Sequence, residues 1–373
     1  MEKKAMIRGA AAALAAMLMA AFPLCSHYPV DTSGRDIREL ESVWQYLKVY
    51  SIWQDSIPLP ADVFNPDTFR TPEQLLASVH DTFYGFSYTR YEKTASAAAG
   101  SGSVEHPQAV LPVPLITAAP VTDSTAYLRI STFDDTNTYE SFLAVAPYLS
   151  SFPNLIIDLR FNTGGYIDQC DSIIEHFLPA HTPYIRATYR MYDNDARTAS
   201  TVPWKNLETN SQRSPSFLYK RIAVLMNKNR IKGGRLGTAS ASEIMAAGLK
   251  DGRAGSSGGD TVTLVGDTSE GKGMGQIRIP RSYLGKQNLQ ITYIRLQGVT
   301  GRIGMYHRKG ISPDILVANP MCMAVDSLQY IAALNSVEPK HPDTLKYVPH
   351  ICNEPSLAKD IGKSAYPIAE FEK

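Results

Sequence analysis

The chain has 373 residues, 44% of them hydrophobic, and its 37 lysines and arginines against 36 aspartates and glutamates leave a formal net charge of +1. It is long and apolar enough to bury a sizeable core, and too neutral to imply nucleic acid or an acidic surface as a partner. Its four cysteines and eight histidines show no metal-ligand spacing, and no phosphate-binding glycine loop or dinucleotide fingerprint is present, so no cofactor and no metal is expected.

Residues 1–25 open with Lys3, Lys4 and Arg8 and continue through an almost wholly apolar run from Gly9 to Leu24, the composition of an export signal. The expected location is therefore the periplasm or cell envelope. Cys25 follows Phe22-Pro23-Leu24, where a lipoprotein signal would set a small residue before its cysteine. Lipidation at Cys25, a cleaved soluble form and an uncleaved anchor are the three alternatives. Past this run no segment is long and apolar enough to cross a membrane as a helix, so membrane attachment is expected only through residues 1–25.

Residues 26–93 read as a small helical subdomain. Ile37, Leu40, Val43, Trp44 and Leu47 recur at helical spacing, and Leu75, Leu76, Val79 and Phe83 do so again. The aromatic stripe of Trp44, Tyr46, Tyr50 and Trp53 is expected as core between helices. Residues 94–120 are small, polar and proline-punctuated, the composition of a linker. Residues 121–335 alternate strand and helix. Tyr127–Ile130, Leu155–Asp158 and Ile222–Met226 read as strands, the last two as short apolar runs that suit buried ones; Thr138–Leu149, Asp168–Leu178 and the stretch after Ser240 read as helices, so an α/β core is expected. Residues 336–373 are polar and proline-rich and are expected to wrap the surface. Cys322 and Cys352 are a candidate disulfide in an oxidising compartment, which would leave Cys170 free.

Three segments carry chemistry. Thr238-Ala239-Ser240-Ala241-Ser242-Glu243 opens a run rich in small residues, so Ser240 sits at a helix start, where unpaired N–H groups and the helix dipole favour an oxyanion. Ser240-x-x-Glu243 is equally a capping box, which is purely structural. Leu155 to Gly165 is an apolar strand running into two glycines; it either exposes backbone N–H groups or is an ordinary strand-to-helix turn with Asp158 and Arg160 as a structural ion pair. Downstream, Gly271-Lys272-Gly273 supplies a lysine that could act as a base if desolvation holds it neutral.

Together these pieces resemble the carboxyl-terminal processing proteases, which belong with the tricorn-type serine peptidases of family S41. The matching residues are Asp158-Leu159-Arg160-x-Asn162-x-Gly164-Gly165, Ile222 to Asn227 leading to Ala239-Ser240-Ala241-Ser242-Glu243, Val265-Gly266-Asp267-Thr268-x-x-Gly271-Lys272-Gly273-x-x-Gln276, and Gly310-Ile311-Ser312-Pro313-Asp314-Ile315. Their order is the family's order, over about half the chain. The resemblance implies a crotonase-like ββα-spiral core, Ser240 as nucleophile, Lys272 as general base, Gln276 as the residue orienting that lysine, and the N–H groups of Gly165 and Ala241 as the oxyanion hole. Glu243 and Gly164 are supporting positions, and the substrate would be an extended or unfolded polypeptide. Tricorn-type relatives use a histidine in place of the lysine; the histidines here sit in no such motif and read as surface or packing residues.

Two departures stand out. Glu270 replaces the aromatic residue the family sets before the lysine turn, putting an acid beside a lysine that must be neutral. Two glycine-rich pieces, Ile231–Arg235 and Ala254–Asp260, lengthen the loops on either side of Ser240; they read as surface insertions or as rims of the substrate groove. The segment between Tyr91 and Tyr127 is too short for the peptide-binding PDZ domain that many members insert there. An alternative to the peptidase is a catalytically weak or inactive binding or scaffold protein on the same fold, with Glu270 and the longer loops in its favour. A second alternative is an acyl hydrolase acting on small esters.

Overall fold

The computed structural model describes residues 37–63, 65, 67–79, 90–93, 114–193, 196, 198–211, 213–228, 237–254, 261–279, 287–318, 327–338, 348–351 and 367–370. The export signal with Cys25, most of the linker, Phe83, the glycine-rich pieces 231–235 and 255–260, Cys322 and Cys352 lie outside these residues. In chain order the helices are α1 (Ile37–Tyr50), α2 (Pro60–Val63), α3 (Pro72–Ala77), α4 (Thr138–Leu149), α5 (Ile167–Ile174), α6 (Ala241–Gly252) and α7 (Ser327–Val337). The strands are β1 (Arg90–Lys93), β2 (Ile116–Pro120), β3 (Thr125–Ile130), β4 (Asn154–Asp158), β5 (Pro183–Asp193), β6 (Thr198–Glu208), β7 (Arg221–Met226), β8 (Val262–Gly266), β9 (Met274–Ile279), β10 (Gln287–Gln297), β11 (Ile315–Leu316), β12 (Val348–Ile351) and β13 (Pro367–Glu370). The protein is thus α/β, in two compact units: Met1–Gly102 with Thr188–Pro203 and Met274–Arg295, and Ser103–Ala187 with Trp204–Gly273 and Leu296–Lys373.

In the first unit, α1 forms because Leu40, Val43, Trp44 and Leu47 fall on one buried stripe, with Glu39 in the first turn and Lys48 in the last to complement the dipole. Arg190 closes its C-terminus, donating from Nη2 to the Lys48 carbonyl at 3.0 Å. Thr71 caps α3, with Pro72 as the first helical residue. The helical reading of residues 26–93 needs correction at its end. α3 stops at Ala77, and residues 90–93 are a strand paired antiparallel with β10. The aromatic stripe also packs differently from expectation. Trp44 and Tyr50 are buried, but their core includes Ile279, Leu289 and Ile291 of β9 and β10, so the helices lie on a sheet rather than only on one another.

The second unit is built on a six-stranded sheet of order β11-β8-β7-β4-β3-β2. Neighbouring strands from β3 to β11 along this order are parallel, and β2 closes the edge antiparallel to β3. Residues 116–120, expected within the linker, therefore form an edge strand. β3 and β4 are buried at every position and β7 at all but its first, as continuous apolar strands covered on both faces should be. The Tyr127 side of the sheet packs on Tyr330, Ala333, Leu334 and Val337 of α7.

β4, β7 and β8 run in phase: Asp158 pairs with Leu225, and Leu225 with Val265. Their carboxyl ends stop at one level, so the three loops that follow leave the sheet side by side. In an open parallel sheet this edge is where ligands bind.

Candidate active site

Each of these three loops carries one of the motifs singled out above. After β4, the Asp158–Arg160 pair is buried and structural. Arg160 grips the Asp158 carboxylate through Nη2 at 2.7 Å and Nε at 3.0 Å, and the Tyr127 hydroxyl donates to it at 2.7 Å. Burial alone would raise the Asp158 pKa, but Arg160, Arg129 and Tyr127 outweigh it and hold the carboxyl below its usual range. This anchors the strand end from which Phe161 to Gly165 turn away.

The glycine turn packs directly on the nucleophile loop. A Cβ at Gly164 would lie 2.6 Å from Ser240 Cβ and 2.8 Å from Ala241 N, while one at Gly165 would lie 2.1 Å from Phe133 C. Both glycines have positive φ, +94° and +141°. The Phe133 backbone bridges to the residues around Gly165, receiving the Tyr166 N–H and donating to the Gly164 carbonyl, each at 2.9 Å. The bridge passes over the Gly165 N–H.

After β7, Asn227 and Thr238 close on each other: Thr238 N–H donates to Asn227 O at 2.9 Å, and Asn227 N–H to Thr238 Oγ1 at 3.1 Å. Ser240 follows at φ 57°, ψ −120°, whereas ordinary N-cap residues sit in the extended region. For a residue with a side chain this conformation costs about 1–3 kcal/mol, and such strain concentrates at functional sites. Glu243 completes the acid half of the capping box, its Oε2 accepting the Ser240 N–H at 3.0 Å. Ser242 and Glu243 N–H groups turn back to Ala239 and Ser240 carbonyls. The Ala241 N–H, at the first helical position, has no acceptor within the helix. α6 itself is buried from Ala241 to Asp251, its last polar residues satisfied by Lys250 to Asp314 (2.9 Å) and Thr300 to Asp251 (2.6 Å).

After β8, the lysine turn is pinned to the same carboxylate. Glu243 Oε2 also accepts the Lys272 N–H at 2.8 Å, and Oε1 accepts the Gly271 N–H at 2.7 Å and the Ser269 hydroxyl at 2.5 Å. One oxygen atom thus joins the backbones of Ser240 and Lys272. Burial pushes the Glu243 carboxyl up to about 7, against the pull of its four donors. A second brace comes from residues 306–311. Arg308 N–H donates to Gly271 O, Ser269 N–H to Ile311 O, and Ile311 N–H to Ser269 Oγ. His307 packs at Gly273, where a Cβ would lie 2.9 Å from its own.

Ser240, Ala241, Glu243, Gly164, Gly165 and Lys272 therefore share the carboxyl edge of one sheet in the second unit. Gln276 lies on β9 in the first unit, its side-chain oxygen accepting from Gln290 Nε2 at 3.3 Å. Glu270 is half-buried, and its N–H donates to Thr238 O at 3.0 Å. Reasoning from sequence passed over the bonds by which Asn227, Thr238 and Ser269 frame the site. The first two lie 11 positions apart and Ser269 precedes the lysine turn, but nothing in their spacing marks the bonds they make.

The family model described as Peptidase family S41 matches residues 124–317, and the chain belongs to this family. It is 32% identical over 228 residues to the carboxy-terminal processing protease CtpB of Bacillus subtilis, covering 60% of this chain and 41% of that protein. It is 29% identical over 200 residues to the carboxy-terminal-processing protease of Bartonella bacilliformis, covering 52% and 39%. The match thus spans about two fifths of the length of these relatives. Among solved structures, a Bacteroides fragilis protein described as a candidate S41 protease matches 86% of this chain and 100% of its own with a TM-score of 0.53 at 13% identity. A lipoprotein from Streptococcus agalactiae matches 85% and 100%, also at a TM-score of 0.53, with 11% identity. At these identities the two structures speak to the fold.

Proposed function

We propose that the chain is a serine endopeptidase that hydrolyses peptide bonds in extended or unfolded polypeptides with a Ser240–Lys272 pair. The observation that carries this reading is the strained Ser240 at the head of a buried helix, sharing the Glu243 carboxylate with the lysine turn. A capping serine needs no such backbone; a nucleophile presented at a sharp turn does.

In this mechanism Lys272 Nζ takes the Ser240 Oγ proton as Oγ adds to the scissile carbonyl carbon. The N–H groups of Gly165 and Ala241 hold the resulting oxyanion. Collapse breaks the C–N bond, and the lysine's proton goes to the leaving amine. Water, activated by the same lysine, then adds to the acyl-enzyme and releases the acid. The composition of residues 1–25 supports export to the periplasm or envelope, attached through Cys25 or the uncleaved segment, or released from it.

The test is Ser240→Ala assayed on an unfolded protein substrate. Hydrolysis should disappear while the fold persists, since loss of a cap costs about 1 kcal/mol. Cleavage by the folded alanine variant would remove Ser240 from the mechanism, and hydrolysis of short esters alone by the wild type would move the activity to another acyl class.

A further inference from the structure

Asn162 is wholly buried at the carboxyl end of β4 and uses every polar group it has. Its Nδ2 donates to Ile130 O at 2.9 Å, and its Oδ1 accepts the Gly164 N–H, also at 2.9 Å. Its carbonyl accepts both the Ala239 N–H at 3.1 Å and the Ser242 hydroxyl at 2.9 Å, and its N–H donates to Leu159 O at 3.2 Å. One side chain and one peptide thereby connect the end of β3, the glycine turn and both flanks of Ser240.

The Asn162 to Gly164 bond closes an Asx-turn, a side-chain mimic of a backbone turn. It occupies the Gly164 N–H, and the Phe133 bridge occupies the Gly164 carbonyl and the Tyr166 N–H. Within this turn the Gly165 N–H is the donor these bonds pass over. Swinging the Gly164–Gly165 peptide would require breaking the bond from the Phe133 N–H to the Gly164 carbonyl, while the Asn162 bond fixes the Thr163–Gly164 peptide that leads into it. Meanwhile the Asn162 carbonyl fixes Ala239, the residue that leads into the strained serine.

We infer that Asn162 is a positioning residue that sets the oxyanion hole, holding the Gly165 N–H in register with Ser240 and the Ala241 N–H; this rests on the serine peptidase reading above. Oxyanion stabilisation acts in the transition state and not on the bound substrate. Loosening the turn should therefore lower kcat with KM unchanged, by about 10²-fold where one donor is lost.

The experiment compares wild type with Asn162→Ala, Asn162→Ser and Ser240→Ala on one peptide substrate, and measures inhibition by a peptide aldehyde. The Ser240 hydroxyl adds to such an aldehyde to form a hemiacetal whose oxygen enters the same hole. The expected result is a kcat about 10²-fold lower for alanine at constant KM, with aldehyde affinity reduced by a similar factor. Serine, whose hydroxyl can close a weaker turn of the same kind, should recover part of both. A folded Asn162→Ala that keeps kcat within about threefold of wild type, or loses kcat with aldehyde affinity unchanged, overturns the inference; if the alanine variant does not fold, the serine variant decides by the same criteria. Activity retained by Ser240→Ala would instead overturn the peptidase reading on which the inference stands.

Discussion

Replacing Glu243 by glutamine tests how a buried acid can hold a nucleophile and a base together. The carboxyl's pKa is raised from its ordinary 4.5 to about 7 by burial, so the folded protein holds this proton more tightly than the unfolded chain does. A group of this kind contributes most to stability below the unfolded pKa, and its contribution is lost as pH rises from 4.5 to about 7. At about 1.4 kcal/mol for each pKa unit, the loss is about 3 kcal/mol. Glutamine does not titrate. It adds a constant penalty, because its amide N–H₂ meets donors on one side and leaves some of Ser269, Gly271, Ser240 and Lys272 unanswered. Urea unfolding of both proteins at a series of pH values from 4.5 to 8 gives the stability difference, wild type minus variant. That difference should fall by about 3 kcal/mol across the window and flatten above it. Hydrolysis should move the other way, rising as the carboxyl ionises, because the charged form alone can accept all four bonds. A stability difference constant to within about 0.5 kcal/mol would show that the donors keep Glu243 ionised throughout and that burial does not dominate.

Three further outcomes follow from the site. Lys272→Arg should be nearly as inactive as Lys272→Ala, because arginine keeps the charge yet cannot yield its proton; substantial turnover by the arginine variant on a peptide substrate would remove lysine from the role of base. Gly165→Ala would set a Cβ 2.1 Å from the Phe133 carbonyl carbon, a backbone atom that cannot swing aside, so kcat should fall at least about 10²-fold, and full activity would mean the turn tolerates displacement. Glu270→Phe should shift the pH–activity profile toward lower pH if the acid faces the lysine amine; an unshifted profile would place its charge in solvent, and inactivity of both proteins at every pH would favour the binding-protein alternative.

The core strands were legible because β4 and β7 are unbroken apolar runs, which only burial on both faces requires. The helix after Ser240 was legible from its small residues. The first unit was legible only in part: the spacing of Ile37 to Leu47 marked α1, but the core joins Leu40 and Trp44 to Leu289 and Ile291, some 250 positions apart, and no local period carries that information. At the site, residue types and order pointed to Ser240, Lys272 and the glycine pair. Sequence left Ser240 divided between cap and nucleophile, however, because both need the same residues and differ in backbone φ, which residue types and spacing do not reveal. Glu243 shows the limit most clearly. Its bond to Ser240 is local and readable as a box, while its bonds to Ser269, Gly271 and Lys272 bridge nearly thirty positions and depend on β7 and β8 being in phase.

The paired bonds between Asn227 and Thr238 have a bearing on how such a protein can diversify. They act as a clasp: Thr238 is held to Asn227 and, through its hydroxyl, to Leu159 at 2.9 Å, which fixes the chain just ahead of Ser240. Between β8 and Lys272 the chain is tied at nearly every residue: the Asp267 N–H to Met226 O, that of Ser269 to Ile311 O, that of Glu270 to Thr238 O, and those of Gly271 and Lys272 to the two oxygens of Glu243. A single residue inserted between Gly266 and Lys272 would break the register of the whole turn. The turn that carries Lys272 is the stretch of this edge least open to a change of length.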